Sequence, residues 1–151
     1  MHSTTTLLTA AATLLASTAQ ARIVGFYAPQ NAAPNADVKI EIFTEGYPQT
    51  INDVAISFGL TPLESLFMGS LGTYVSTKAL GPDFSNVDGN ITHIIHIPAT
   101  FPVGPAVLQA SHFSLTGASS TPATEIYYAN VTIGAGNQFP YTTSARIPNP
   151  M

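Results

Sequence analysis

The chain contains no cysteine and no tryptophan, and only 8% of its 151 residues are charged. Without cysteine, disulfides, thiolate metal sites and thiol nucleophiles are all excluded. Packing alone must therefore hold the protein together, and a reducing cytosol would not unfold it. Without tryptophan, the most common aromatic platform for a sugar is missing. Four Lys and Arg residues (Arg22, Lys39, Lys78, Arg146) stand against eight Asp and Glu, a formal charge of -4. Four scattered cations build no basic patch, so neither nucleic acid nor an anionic membrane surface is an expected partner. Long hydrophobic runs are absent too. The strongest, residues 7–16, is about half of what a bilayer crossing requires, and no membrane insertion is expected.

That short run is instead the core of an export signal. Met1 and His2 precede it, and Ala19-Gln20-Ala21 follows with the small-x-small spacing that signal peptidase cuts. This predicts a signal peptide over residues 1–21, cleavage between Ala21 and Arg22, and a secreted, extracellular product. A cut after Ala19 would instead leave glutamine at the amino terminus. About 130 residues remain, the size of one domain with a core large enough to fold unaided, and a monomer is expected. Residues 22–134 form that domain. Residues 135–151, rich in Gly, Pro, Asn and Thr, read as a flexible tail.

Strand is the pattern throughout. Residues 37–45 alternate, with Val38, Ile40 and Ile42 on one face and Lys39 and Glu41 on the other, and Phe43 breaks the polarity. Further strands are predicted over residues 22–28, 51–59, 71–80, 90–97, 105–115 and 124–133, each rich in β-branched or aromatic residues. Proline and glycine punctuate them. About seven short strands at this spacing predict an all-β, antiparallel sandwich of immunoglobulin-like or fibronectin type. In the last strand Tyr127, Ala129, Val131 and Ile133 make the apolar set, so Asn130 should point outward. Asn130-Val131-Thr132 and Asn90-Ile91-Thr92 are both glycosylation sequons, and Asn90 follows the turn pair Asp88-Gly89.

Catalytic chemistry finds little support. His93 and His96 are three apart in a strand and so point to opposite faces, which prevents them from sharing one metal ion. His112 reads as a structural histidine. Secreted copper oxygenases on a similar sandwich bind their metal through an amino-terminal histidine, whereas this mature chain would start with Arg22 or Gln20. Met68-Gly69-Ser70-Leu71-Gly72 carries half of a nucleophile elbow, but methionine replaces its first glycine and strand follows rather than helix. Asp53, Asp83, Asp88 and the glutamates read as isolated, with no acid and base pair among them. No cofactor is called for, and a binding protein is expected rather than an enzyme.

A set of ordered blocks carries a resemblance. Arg22-Ile23, the run from Asp53 to Gly59, Gly69-Ser70-Leu71-Gly72-Thr73, Leu80-Gly81-Pro82, Ser85-Asn86-Val87 and Asn90-Ile91-Thr92 come first. Ile97-Pro98, residues 102–108, Ala110-Ser111, Phe113-Ser114-Leu115, Gly117-Ala118-Ser119 and Asn130-Val131-Thr132 continue in the same order. Together they resemble the necrosis-inducing secreted proteins of plant-colonising fungi, a family of core effectors. The resemblance implies suppression of pattern-triggered immunity through binding of plant receptor-like kinases, namely a shared co-receptor kinase and a receptor-like cytoplasmic kinase, with inhibition of their phosphorylation activity. It also implies cell death on overproduction, and action either in the apoplast or, after transfer, in host cytoplasm.

No family motif marks the binding surface, so it is sought from the residues. Leu63, Leu66, Phe67 and Met68 lie between a strand and a glycine turn. Exposed, they would suit a partner surface; folded inward, they would cap one end of the core. An edge strand pairing with an extended partner segment is a second route. A different class of function, a carbohydrate-binding or cell-surface module, is motivated by Tyr27, Tyr47, Tyr74 and Tyr128 as sugar platforms.

Overall fold

In the computed structural model, which describes residues 20–136 and 138–148, the chain is a two-sheet β-sandwich. The predicted signal segment up to residue 19 lies outside the described residues. In chain order the strands are β1 (Ala21–Pro29), β2 (Asn31–Ala32), β3 (Asp37–Gly46), β4 (Ile51–Pro62), β5 (Thr73–Ala79), β6 (Asn90–His96), β7 (Gly104–Thr116), β8 (Thr121–Ile133), β9 (Tyr141–Thr143) and β10 (Ala145–Arg146). One sheet runs β6-β3-β1-β9. The other runs β10-β8-β7-β4-β5, with β2 pairing parallel to β8. The all-β expectation holds, and each of the seven predicted strands is present.

Alternating β-branched residues produce the core. Ile40 and Ile42 of β3 meet Ile56, Phe58 and Leu60 of β4, with Leu108 of β7 and Tyr127 of β8, all buried. Phe26 of β1 packs edge-on against Phe58 across the two sheets, ring centroids 5.5 Å apart. Each such side chain contributes about 1.5–3 kcal/mol on leaving water. Phe43, the exception to polarity in β3, lies on the outer face stacked on Tyr27 at 4.6 Å.

The predicted tail requires correction. Two of its short segments are strands: β9 pairs with β1 in one sheet and β10 with β8 in the other. Between them Ser144 makes two hydrogen bonds to Phe26, its Oγ accepting the Phe26 N–H at 2.8 Å and its N–H donating to the Phe26 carbonyl at 2.9 Å. Gly25 leaves room for this, since a Cβ there would lie 2.7 Å from the Ser144 hydroxyl. The segment thus laces the two sheets together along one side. Three strands escaped the sequence pattern because segments of two or three residues show no alternation.

The sandwich has two poles. At one, β4 begins beside the end of β7 and the turn after it, where Gly117 N–H bonds the Thr50 carbonyl. At the other, β4 ends opposite Ala106, and Gly104 pairs with Ile133.

Candidate functional site

At the second pole, β4 leaves its sheet at Pro62, makes a single 3-10 turn over Leu63–Ser65, and doubles back over the outer face before β5 begins. Two glycines permit this reversal. A Cβ on Gly59 would lie 2.1 Å from the Leu71 carbonyl oxygen, and Gly72 has φ +67 with Thr61 Oγ1 2.0 Å from where its Cβ would be. No other residue allows the returning backbone to lie so close on β4.

A glutamine holds the returning chain in place. Gln109 of β7 faces outward from the core and yet is fully buried, because residues 66–70 cover it. Its Oε1 accepts the Gly69 N–H at 3.1 Å, and its Nε2 donates to the Ser70 carbonyl and, at 3.5 Å, to that of Phe67. A buried amide that satisfies three backbone groups of a loop fixes that loop's conformation, since freeing it would strand the amide unbonded.

The braced loop turns apolar side chains outward. Leu63 is 51% exposed, Phe67 75% and Met68 41%, while Leu66 is half-buried. Across from them Val103 is 72% exposed in the connection before β7. Pro62, Leu63 and Glu64 on one side and Pro102, Val103 and Pro105 on the other enclose an open cleft of about 340 Å³. A second depression, of about 420 Å³, continues from Leu63 past Pro105 to Asn130 and Thr132 on the outer face of β8. The loop is therefore a presented surface, and the core beneath is closed by Leu60 and Leu108, both buried.

The other sequence candidates fall elsewhere. Asn90 and Asn130 are both exposed, the second on the rim of that depression. Ala21, expected beside the cleavage site, is buried at the start of β1 and pairs with Gly46. Ser70 belongs to the turn that Gln109 holds, which is a glycine-rich connection. His93 faces inward at the open edge between the sheets, stacked on Phe58 and bonded to Ser76 Oγ at 2.9 Å; burial first and Lys78 second hold its pKa below the usual value. His96 points outward to Asp37 at 2.8 Å. Among the described residues, no three His, Cys, Asp or Glu side chains come close enough together to hold a metal ion. Tyr27 and Tyr128 lie on the outer faces of different sheets, Tyr47 beneath Arg22 and Tyr74 at the β5 edge, so the four tyrosines share no platform.

One pairing was missed from sequence. Asp53 and His112, read as isolated, meet in the core with Asp53 Oδ1 2.8 Å from His112 Nε2, each side chain 1% exposed. The contact is close but poorly aligned, and neither ring nitrogen finds an acceptor in line. Nearby, the single Tyr127 hydroxyl proton faces two acceptors, Glu125 Oε2 at 2.7 Å and the Ile23 carbonyl at 3.1 Å. Burial first, then the Glu125 carboxylate, hold that phenol protonated far above its usual range.

Fold and site together define a small, cysteine-free β-sandwich that presents a braced apolar pole. The chain belongs to the Nis1 family, whose model matches residues 19–132. It is 44% identical over 129 residues to necrosis-inducing secreted protein 1 of Colletotrichum orbiculare, covering 85% of this chain and 78% of the relative. It is 38% identical over 137 residues to the protein of the same name from Colletotrichum higginsianum, covering 91% and 95%. These relatives are named for secretion and necrosis, with no enzymatic activity in their names. Among solved structures, a cellulose-active polysaccharide monooxygenase from M. thermophila superposes with TM-score 0.49 at 17% identity, covering 74% of this chain and 57% of that one.

Proposed function

We propose that the protein is a secreted effector of a plant-colonising fungus that induces necrosis and suppresses pattern-triggered immunity by binding plant receptor-like kinases and inhibiting them. Family membership and the names of the relatives support the secreted, necrosis-inducing part. The observation that carries the binding part is the Gln109-braced loop. Three large apolar side chains held rigidly in solvent cost free energy in the isolated protein, and a partner that covers them recovers it without having to order the loop first. Inhibition then follows from occlusion of a kinase lobe by the bulk of the sandwich. A fold without disulfides is compatible with such contact on either side of the host membrane.

The test incubates the purified protein with cytoplasmic domains of the plant co-receptor kinase and of its cytoplasmic kinase partner, recording binding and autophosphorylation. Dose-dependent binding with reduced phosphorylation is expected. Changing Leu63, Phe67 and Met68 together to Ser should weaken binding at least about tenfold, the loss of one or more interface hot spots, while leaving the folded β signature intact. Absence of wild-type binding at about micromolar concentration overturns the kinase reading. Undiminished binding by a folded triple variant places the contact elsewhere on the molecule.

A further inference from the structure

The fold makes use of two residues that the predicted cleavage would discard. Ala21 is 2% exposed and pairs with Gly46 as the first rung of the β1–β3 ladder. Gln20 accepts the Tyr47 N–H on its backbone carbonyl at 2.8 Å, and its side chain reaches Thr50 Oγ1 at 3.4 Å. A chain cut after Ala21 would lose that rung, leave the Tyr47 N–H without its acceptor and open the core beside Ile23. A cut two residues earlier keeps all of these, and the sequence permits it: Ser17-Thr18-Ala19 has the same small-x-small spacing as Ala19-Gln20-Ala21.

We infer that the mature chain begins at Gln20 and that this glutamine is closed into pyroglutamate. Once the peptide bond before it is hydrolysed, the freed α-amine attacks the side-chain carboxamide carbon. The bond from that carbon to Nε2 breaks, and the attacking amine gives up a proton so that the nitrogen leaves as ammonia. A neutral lactam remains, and no oxidant or cofactor is consumed. The structure tolerates the change. The backbone carbonyl that binds Tyr47 is outside the ring, and closure sacrifices just the long hydrogen bond from Nε2 to Thr50. Oε1, buried and without a partner, becomes the lactam oxygen. A half-buried end carrying an ammonium would sit two residues from the Arg22 guanidinium; the lactam carries no charge there. The product has a blocked amino terminus, closed to aminopeptidases outside the cell.

The test expresses the full 151-residue chain from a filamentous fungal host and determines the amino-terminal peptide of the secreted protein by mass spectrometry. A terminal peptide beginning at Gln20 and lighter by one ammonia is expected. A free Gln20 overturns the cyclised terminus, and a chain beginning at Arg22 overturns the whole inference. In a Gln20→Asn variant, whose side chain is one methylene too short to close the ring, the ammonia loss should vanish while the cleavage point stays; a loss that persists would refute the assignment to this side chain. Purified proteins starting at Gln20 and at Arg22 should differ in melting temperature by roughly 3–8 °C in favour of the longer one. Equal melting temperatures would remove the structural basis of the inference.

Discussion

Val54 is the reason that Asp53 faces His112. Alternation counted back from buried Ile56 would turn Val54 inward and Asp53 outward, but the register with β7 slips between Asp53 and Ala55. The slip is a β-bulge, which leaves Val54 39% exposed and swings the carboxylate into the core. No proline or glycine marks it, so a reading by period alone places Asp53 on the wrong face. By contrast, the outward placement of Asn130 was legible, since β8 alternates without interruption from Tyr127 to Ile133. The buried pair is close enough to couple. Asp53→Ala and His112→Ala should each destabilise by about 1–3 kcal/mol, because each leaves the other's polar atoms facing apolar core. The double variant should cost well under the sum of the two, measured as a double-mutant cycle from urea midpoints. Strict additivity would mean that the two groups do not interact in the folded protein.

Among the elements, the long strands were evident and the apolar loop only half so. Gly59 reads as the end of a strand, since glycine usually punctuates; here β4 continues through it to Pro62, and the glycine serves the chain crossing above. That crossing depends on residues far away in sequence, Gln109 above all, whose buried amide no local pattern announces. The loop's composition was visible and its rigidity was not. Gly59→Ala should therefore act on the loop rather than on the sheet, forcing Leu71 off β4 at a cost of about 1–3 kcal/mol. Hydrogen exchange reads the effect directly: the Gly69 amide, bonded to Gln109 in the wild type, should lose protection while amides of β7 keep theirs. Unchanged protection of Gly69 would show that the loop is held by something other than this packing.

The whole molecule is closed along both long sides by polar stitches. Ser144 ties the β1 side, and the bond between Ser76 of β5 and His93 of β6 ties the other. The second stitch is pH-dependent. Because the folded state lowers the pKa of His93, the unfolded chain takes up the proton first as pH falls through about 6.5, and stability declines from there towards the lower folded value. Between about pH 7.5 and pH 5.5 the wild type should lose more stability than His93→Gln, which keeps a hydrogen-bonding group but does not titrate; urea midpoints at the two pH values decide. Parallel losses would assign the acid sensitivity to other groups.

The two poles give the molecule a direction. Gln20 sits beside Tyr47 and Thr50 at the Gly117 pole, whereas Ile147 bonds the Ile126 carbonyl midway along β8. Leu63 and Val103 occupy the opposite one, and Phe67 and Met68 lie along the outer face that leads back from it. An affinity tag or a solid support joined at the Gln20 end therefore stands a full sandwich length from Leu63 and Val103, and a protein immobilised that way presents its Leu63 face outward to whatever flows past.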